Sequence, residues 1–176
     1  MEDMIFCQRD IPKGKWRYGF RSSAATGCGW IAVYNALRLL GYSPKPEELI
    51  KSFERQLPLI HGNIGTTILA PAFWMKRHGF QVEYLSRLDQ FDIAAKRSDV
   101  CILFYHWRDK WKLGAHFVAL RDTPEGFVGY NTYRNSKGPD RYGESLSVFL
   151  KKRKYFGAVL IGICDRQQKC RENHTL

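Results

Sequence analysis

The chain has 176 residues, 44% of them apolar and 14% aromatic, enough to bury one core without disulfides or metals, which excludes a disordered polypeptide. Its 28 lysines and arginines outnumber 17 acidic residues and give a formal net charge of +11, which would attract an acidic partner. No apolar run approaches the ~20 residues that a membrane-spanning helix needs.

The positive charge is dispersed, with local density only at Lys151-Lys152-Arg153-Lys154 and in the tail from Arg166. No helix-turn-helix, zinc-finger or RNP pattern accompanies it, so a solvated face is expected rather than a nucleic-acid groove. The start, Met1-Glu2-Asp3-Met4-Ile5-Phe6, is acidic where a secretory signal is basic, which points to a cytoplasmic protein. The five cysteines, Cys7, Cys28, Cys101, Cys164 and Cys170, are odd in number and irregularly spaced, so no disulfide framework is expected.

No repeat, low-complexity stretch or linker divides the chain, and one domain over residues 1–176 is expected. Its helical half runs to about residue 80, its sheet half over about 81–165, and its basic tail over 166–176. Trp30, Val33, Tyr34, Leu37 and Leu40 recur at a helical period after Cys28, and Gly41 is placed as a stop. Arg38 is the only charged residue of that segment, which predicts a helix buried on most sides. Further helices are predicted from Pro46 to about Phe53 and from Thr66 to about His78, with Pro71 disturbing the start of the latter.

Strands are predicted at Gln81–Leu85, Val100–Tyr105, His116–Leu120, Phe127–Asn131 and Gly157–Ile163, with short helices at Gln90–Arg97 and Ser145–Lys152. The class is therefore α+β, helices first and a mostly antiparallel sheet after, with a cleft available between them.

Cys28 stands between two glycines and opens the most apolar helix. Main-chain N–H groups and the positive end of the helix dipole stabilise a thiolate there, and flanking glycines admit a substrate carbonyl. The plain alternative is a small buried cysteine at a helix start. His116 begins an apolar strand. Thr123-Pro124-Glu125-Gly126 reads as the turn of a hairpin, and if Thr123 and Gly126 close it, Asn131 lies opposite Val118. Asn131 and His116 are then diagonal neighbours on one face, and an Asn carbonyl accepting a ring N–H would leave the other ring nitrogen for the thiol.

A helix-start Cys, a strand His and a next-strand Asn, in that order, resemble the papain-like superfamily of cysteine peptidases. Within it the C39-type, double-glycine peptidases that process bacteriocins, and their stand-alone relatives, are the nearest likeness. The resemblance rests on Gly27–Gly41 and Ala115–Asn131. It implies a papain-like fold with the Cys helix and the His/Asn sheet on opposite walls of a cleft, a Cys28–His116–Asn131 triad, a peptide or protein substrate, and no cofactor or metal. C39-type enzymes carry Asp where this chain has Asn131. They also draw an oxyanion donor from a Gln about six residues before the nucleophile, where this chain has Ser22 followed by Ser23; Gln8 is distant in sequence.

Among the remaining features, Trp30, Trp107 and Trp111 are candidates for a substrate rim. The segment from Tyr105 to Lys112 is expected as a surface loop whose aromatics fold onto the core or grip substrate. Cys164, Cys170 and His174 lack the paired spacing of a metal site. Cys101 is expected in the core, and His61 in a turn.

Overall fold

The structure is a computed structural model that describes residues 4–55, 58–59, 65–109 and 112–165. After a single 3-10 turn at Gln8–Asp10 come the hairpin β1 (Arg17–Tyr18) and β2 (Arg21–Ser22), then α1 (Ser23–Thr26), α2 (Cys28–Leu39) and α3 (Pro46–Arg55). A short ladder, β3 (Pro58–Leu59) with β4 (Gly65–Thr66), precedes α4 (Ala70–Arg77). Then follow β5 (Gln81–Leu85), α5 (Phe91–Arg97), β6 (Val100–Asp109), β7 (Lys112–Arg121), β8 (Phe127–Tyr130), β9 (Asp140–Gly143), α6 (Leu146–Lys152) and β10 (Tyr155–Cys164).

Six strands form one antiparallel sheet in the order β5-β10-β6-β7-β8-β9. The two-residue period of a strand divides its residues between two cores. Ile102, Phe104, Phe117, Ala119, Ile161 and Ile163 face the core that contains α2. Leu103, Tyr105, Val118, Leu120 and Leu160 face a second core with α5 and α6. Every residue of α2 from Gly29 to Leu37 is buried, as a helix with one charged residue should be, and it packs on β6 and β7. This is the α+β arrangement expected.

The β7–β8 register is also the one expected: Ala119 pairs with Tyr130, Leu120 with Gly129 and Arg121 with Val128, and Thr123 and Gly126 close the turn with reciprocal main-chain bonds. Elsewhere the boundaries move. The fourth helix begins at Ala70 rather than Thr66, because Thr66 is taken into β4 and Pro71 fits only a first helical turn. His106–Asp109, expected as loop, continues β6, paired to β7 as far as Lys112. β9 is too short and polar to register as a strand in sequence. Among the described residues, no helix is long and apolar enough to cross a membrane.

Candidate active site

Cys28 is the first residue of α2, so the N–H groups of Cys28 and Gly29 have no partner within the helix and turn toward the thiol. A third donor, the Phe117 N–H of β7, faces it from the sheet. Despite these donors, burial pushes the thiol above its ordinary pKa, opposite to the lowering expected from the helix start; desolvation outweighs what the N–H groups recover.

Both flanking glycines are required by packing. A Cβ at Gly29 would lie 2.4 Å from Thr66 Oγ1, and one at Gly27 2.6 Å from the Ser23 carbonyl oxygen. Thr66 is itself fixed by donating to Tyr18 Oη at 3.1 Å.

His116 lies on β7 directly opposite Tyr105. Its Nε2 is 2.5 Å from the main-chain oxygen of Asn131. A carbonyl oxygen only accepts, so Nε2 carries the proton and Nδ1 keeps the lone pair of the neutral ring. Burial holds the imidazole below its ordinary pKa; the Asn131 carbonyl opposes this, while the Arg153 and Arg134 charges add to it. The thiol and the imidazole flank the same stretch of β7, and among the described residues no hydrogen bond joins them.

Asn131 meets His116 through its main-chain oxygen rather than through its side-chain amide. Its side-chain Oδ1 instead accepts from the Gln8 N–H at 2.8 Å, and its Nδ2 donates to Gln8 Oε1 at 3.3 Å. Asn131 stands one residue past β8 with φ of 65°, a left-handed conformation that turns its carbonyl out of the strand pattern. The sequence shows the spacing of His116 and Asn131, but not this inversion.

The other candidates separate clearly. Ser23 is fully buried and accepts from Trp30 Nε1 at 3.2 Å, so it cannot reach a substrate. Ser22 caps α1, its Oγ accepting from the Ala24 N–H at 3.3 Å, and keeps its own proton to donate. Trp30 is fully buried, edge-on to Trp16, and is a core residue rather than part of a rim. Trp107 is half-buried, its ring lying where a Cβ on Gly114 would be.

Cys101 is buried in the second core, as expected, and its thiol is pushed up to about 12 by that burial. Trp111, His61, Cys170 and His174 lie outside the described residues, among which no His/Cys/Asp/Glu group could hold a metal ion. Gln8, remote in sequence, is brought beside the site, where its Nε2 donates to the Ala24 carbonyl at 3.2 Å.

The fold has a counterpart among solved structures. The peptidase domain of Streptococcus ComA, a bi-functional ABC transporter involved in quorum sensing, superposes with a TM-score of 0.54 over 81% of this chain and 93% of that domain, at 13% identity. The chain shares the papain-like α+β fold with that domain. No protein-family model matches the chain, and no curated protein matches it in sequence. At 13% identity the likeness carries the fold, and the chemistry has to be argued from the residues.

Proposed function

We propose that the chain is a thiol hydrolase that cleaves a peptide or other amide bond through Cys28, His116 and Asn131. The observation that carries this reading is the convergence on the Cys28 thiol of N–H groups from the helix start and from Phe117, the next residue along β7 after His116, whose ring tautomer is set by the Asn131 carbonyl. With a raised thiol and a neutral ring, His116 acts as general base when substrate binds: Nδ1 takes the Cys28 proton as sulfur bonds to the carbonyl carbon. The resulting imidazolium returns that proton to the leaving amine as the C–N bond breaks. Water then hydrolyses the thioester by the same route.

The Cys28 N–H supplies one oxyanion donor, and the free proton of Ser22 is the candidate for the second, with the Gln8 amide next. Trp107 is the described candidate for a rim. Away from these residues, a groove of about 440 Å³ between α3 and α4, lined by Lys51, Arg55, Arg77 and His78 with Glu48 and Ser52, carries positive charge that would attract an acidic partner. No cofactor enters the mechanism, and the setting proposed is cytoplasmic. An acyltransferase on the same three residues differs only in the acceptor, and an added amine that changes the product distribution would reveal it.

The raised thiol, with no Cys28–His116 hydrogen bond among the described residues, favours one second reading, a non-catalytic papain-like module that binds a peptide or nucleic acid. Alkylation by iodoacetamide separates the two. A hydrolase site predicts that Cys28 reacts faster than half-buried Cys164, that Cys28→Ala removes this fast phase, and that Cys101→Ala leaves it. Because burial raises the Cys28 pKa, its rate should climb through the alkaline range rather than level off near neutrality. Equal labelling of the Cys28→Ala and Cys101→Ala proteins would favour the binding module.

A further inference from the structure

The segment Ile5–Asp10 runs as a strap between the two walls of the site. On the helical wall, Asn35 of α2 accepts from the Ile5 N–H at 3.0 Å and donates to the Ile5 carbonyl at 2.9 Å, and Gln8 Nε2 donates to the Ala24 carbonyl of α1. On the sheet wall, Gln8 holds the side chain of Asn131 by both of its polar atoms, Cys7 Sγ donates to the Arg134 carbonyl at 3.1 Å, and Asp10 pairs with Lys137 at 3.0 Å. Asn35 is fully buried and Asn131 nearly so; an unpaired amide at either place would be costly, which makes the strap part of the interior.

One consequence concerns His116. A non-glycine residue adopts a left-handed backbone only when its surroundings impose it, at a cost on the order of 1 kcal/mol. The Asn131 side chain is held by Gln8, whose main-chain N–H donates to it and whose amide oxygen accepts from it. With that side chain anchored, the main-chain carbonyl is the atom left to face the imidazole.

We propose that Gln8, carried on this strap, is a positioning residue that keeps Asn131 left-handed and so makes its main-chain carbonyl, not its carboxamide, the group that orients His116. This rests on the proposed Cys28–His116 chemistry, and the strap couples that chemistry to both walls at once.

The test uses the full chain and two readouts: the His116 tautomer by ¹⁵N NMR of the imidazole, and the Cys28 alkylation rate. Gln8→Pro removes the N–H and the amide together, and it fits the backbone, because Gln8 opens a 3-10 turn and Cys7 before it is extended at φ −140°, ψ 112°. The wild type should show the Nε2-protonated tautomer alone. Gln8→Pro should show a mixture, with alkylation slowed by about 10-fold or more. Gln8→Ala, which keeps the N–H, should lie between them.

Should Gln8→Pro fail to fold, Asn131→Gly and Asn131→Ala decide: glycine tolerates the left-handed backbone and should keep the tautomer better than alanine. An unchanged tautomer in Gln8→Pro, or in Asn131→Ala when the first does not fold, overturns the proposal. If wild-type Cys28 reacts no faster than Cys164, the hydrolase reading fails by itself, and the tautomer still decides the role of Gln8.

Discussion

The wall that carries Cys28 is a helix whose form follows from its own residues: apolar side chains at a helical period, one charge, and a run from Gly29 to Leu37 that is buried throughout. The wall that carries His116 is a strand whose chemistry depends on residues far away. Its imidazole rests on Asn131, 15 residues on, and Asn131 is held by Gln8, 123 residues before it. The first wall tolerates change wherever its packing does. The second is sensitive at positions that never touch the imidazole.

Breaking the second wall at its centre should have the largest effect. His116→Ala removes the base and should lower turnover of a peptide substrate by on the order of 10²–10⁴, with the pH dependence of kcat/KM flattened. A loss under tenfold would mean that the two walls do not cooperate in catalysis. The serines test the boundary between the walls. Ser22→Ala should lower kcat by on the order of 10²-fold with little change in KM if its hydroxyl is the oxyanion donor. Ser23→Ala should leave kcat alone and cost stability of about 1–3 kcal/mol, because Trp30 Nε1 loses its acceptor. Equal, unaltered turnover in both would direct attention to Gln8.

The first wall is tested by packing. Gly29→Ala drives a methyl into Thr66 and should destabilise the fold by about 1–3 kcal/mol in urea unfolding. The smallest effect is electrostatic. Because burial lowers the folded pKa of His116, the unfolded chain binds the extra proton more readily. Stability should thus be complete above the ordinary imidazole value of about 6.5 and decline as pH falls through it. His116→Ala should remove that part of the acid dependence.

The sequence carried much of this contrast, unevenly. Helix α2, the strand alternation and the β7–β8 register are legible because each depends on residues near one another, or on a turn whose closing residues can be counted. The roles of Gly29, Ser23 and Trp30 were not, because each is defined by a contact made in the folded state: Thr66 against Gly29, and Ser23 beneath the Trp30 indole. The raised thiol was missed for a related reason, since sequence places the helix N–H groups but not the depth of burial that outweighs them. The left-handed turn at Asn131 leaves no mark except the residue type, which tolerates it.

The strap also bears on how the molecule is made. Its bonds to the sheet wall span 123 to 127 residues, among the longest closures in the chain, whereas helix α2 forms from contacts within a few turns. Closing so long a loop is entropically expensive and rewarded only after β8 exists to receive it, so the strap should dock late in folding. During synthesis from the N-terminus, Gln8 leaves the ribosome long before Asn131. A partly made chain can then present the Cys28 helix while His116 remains unoriented, and reactivity would arrive only with the last strands of the sheet.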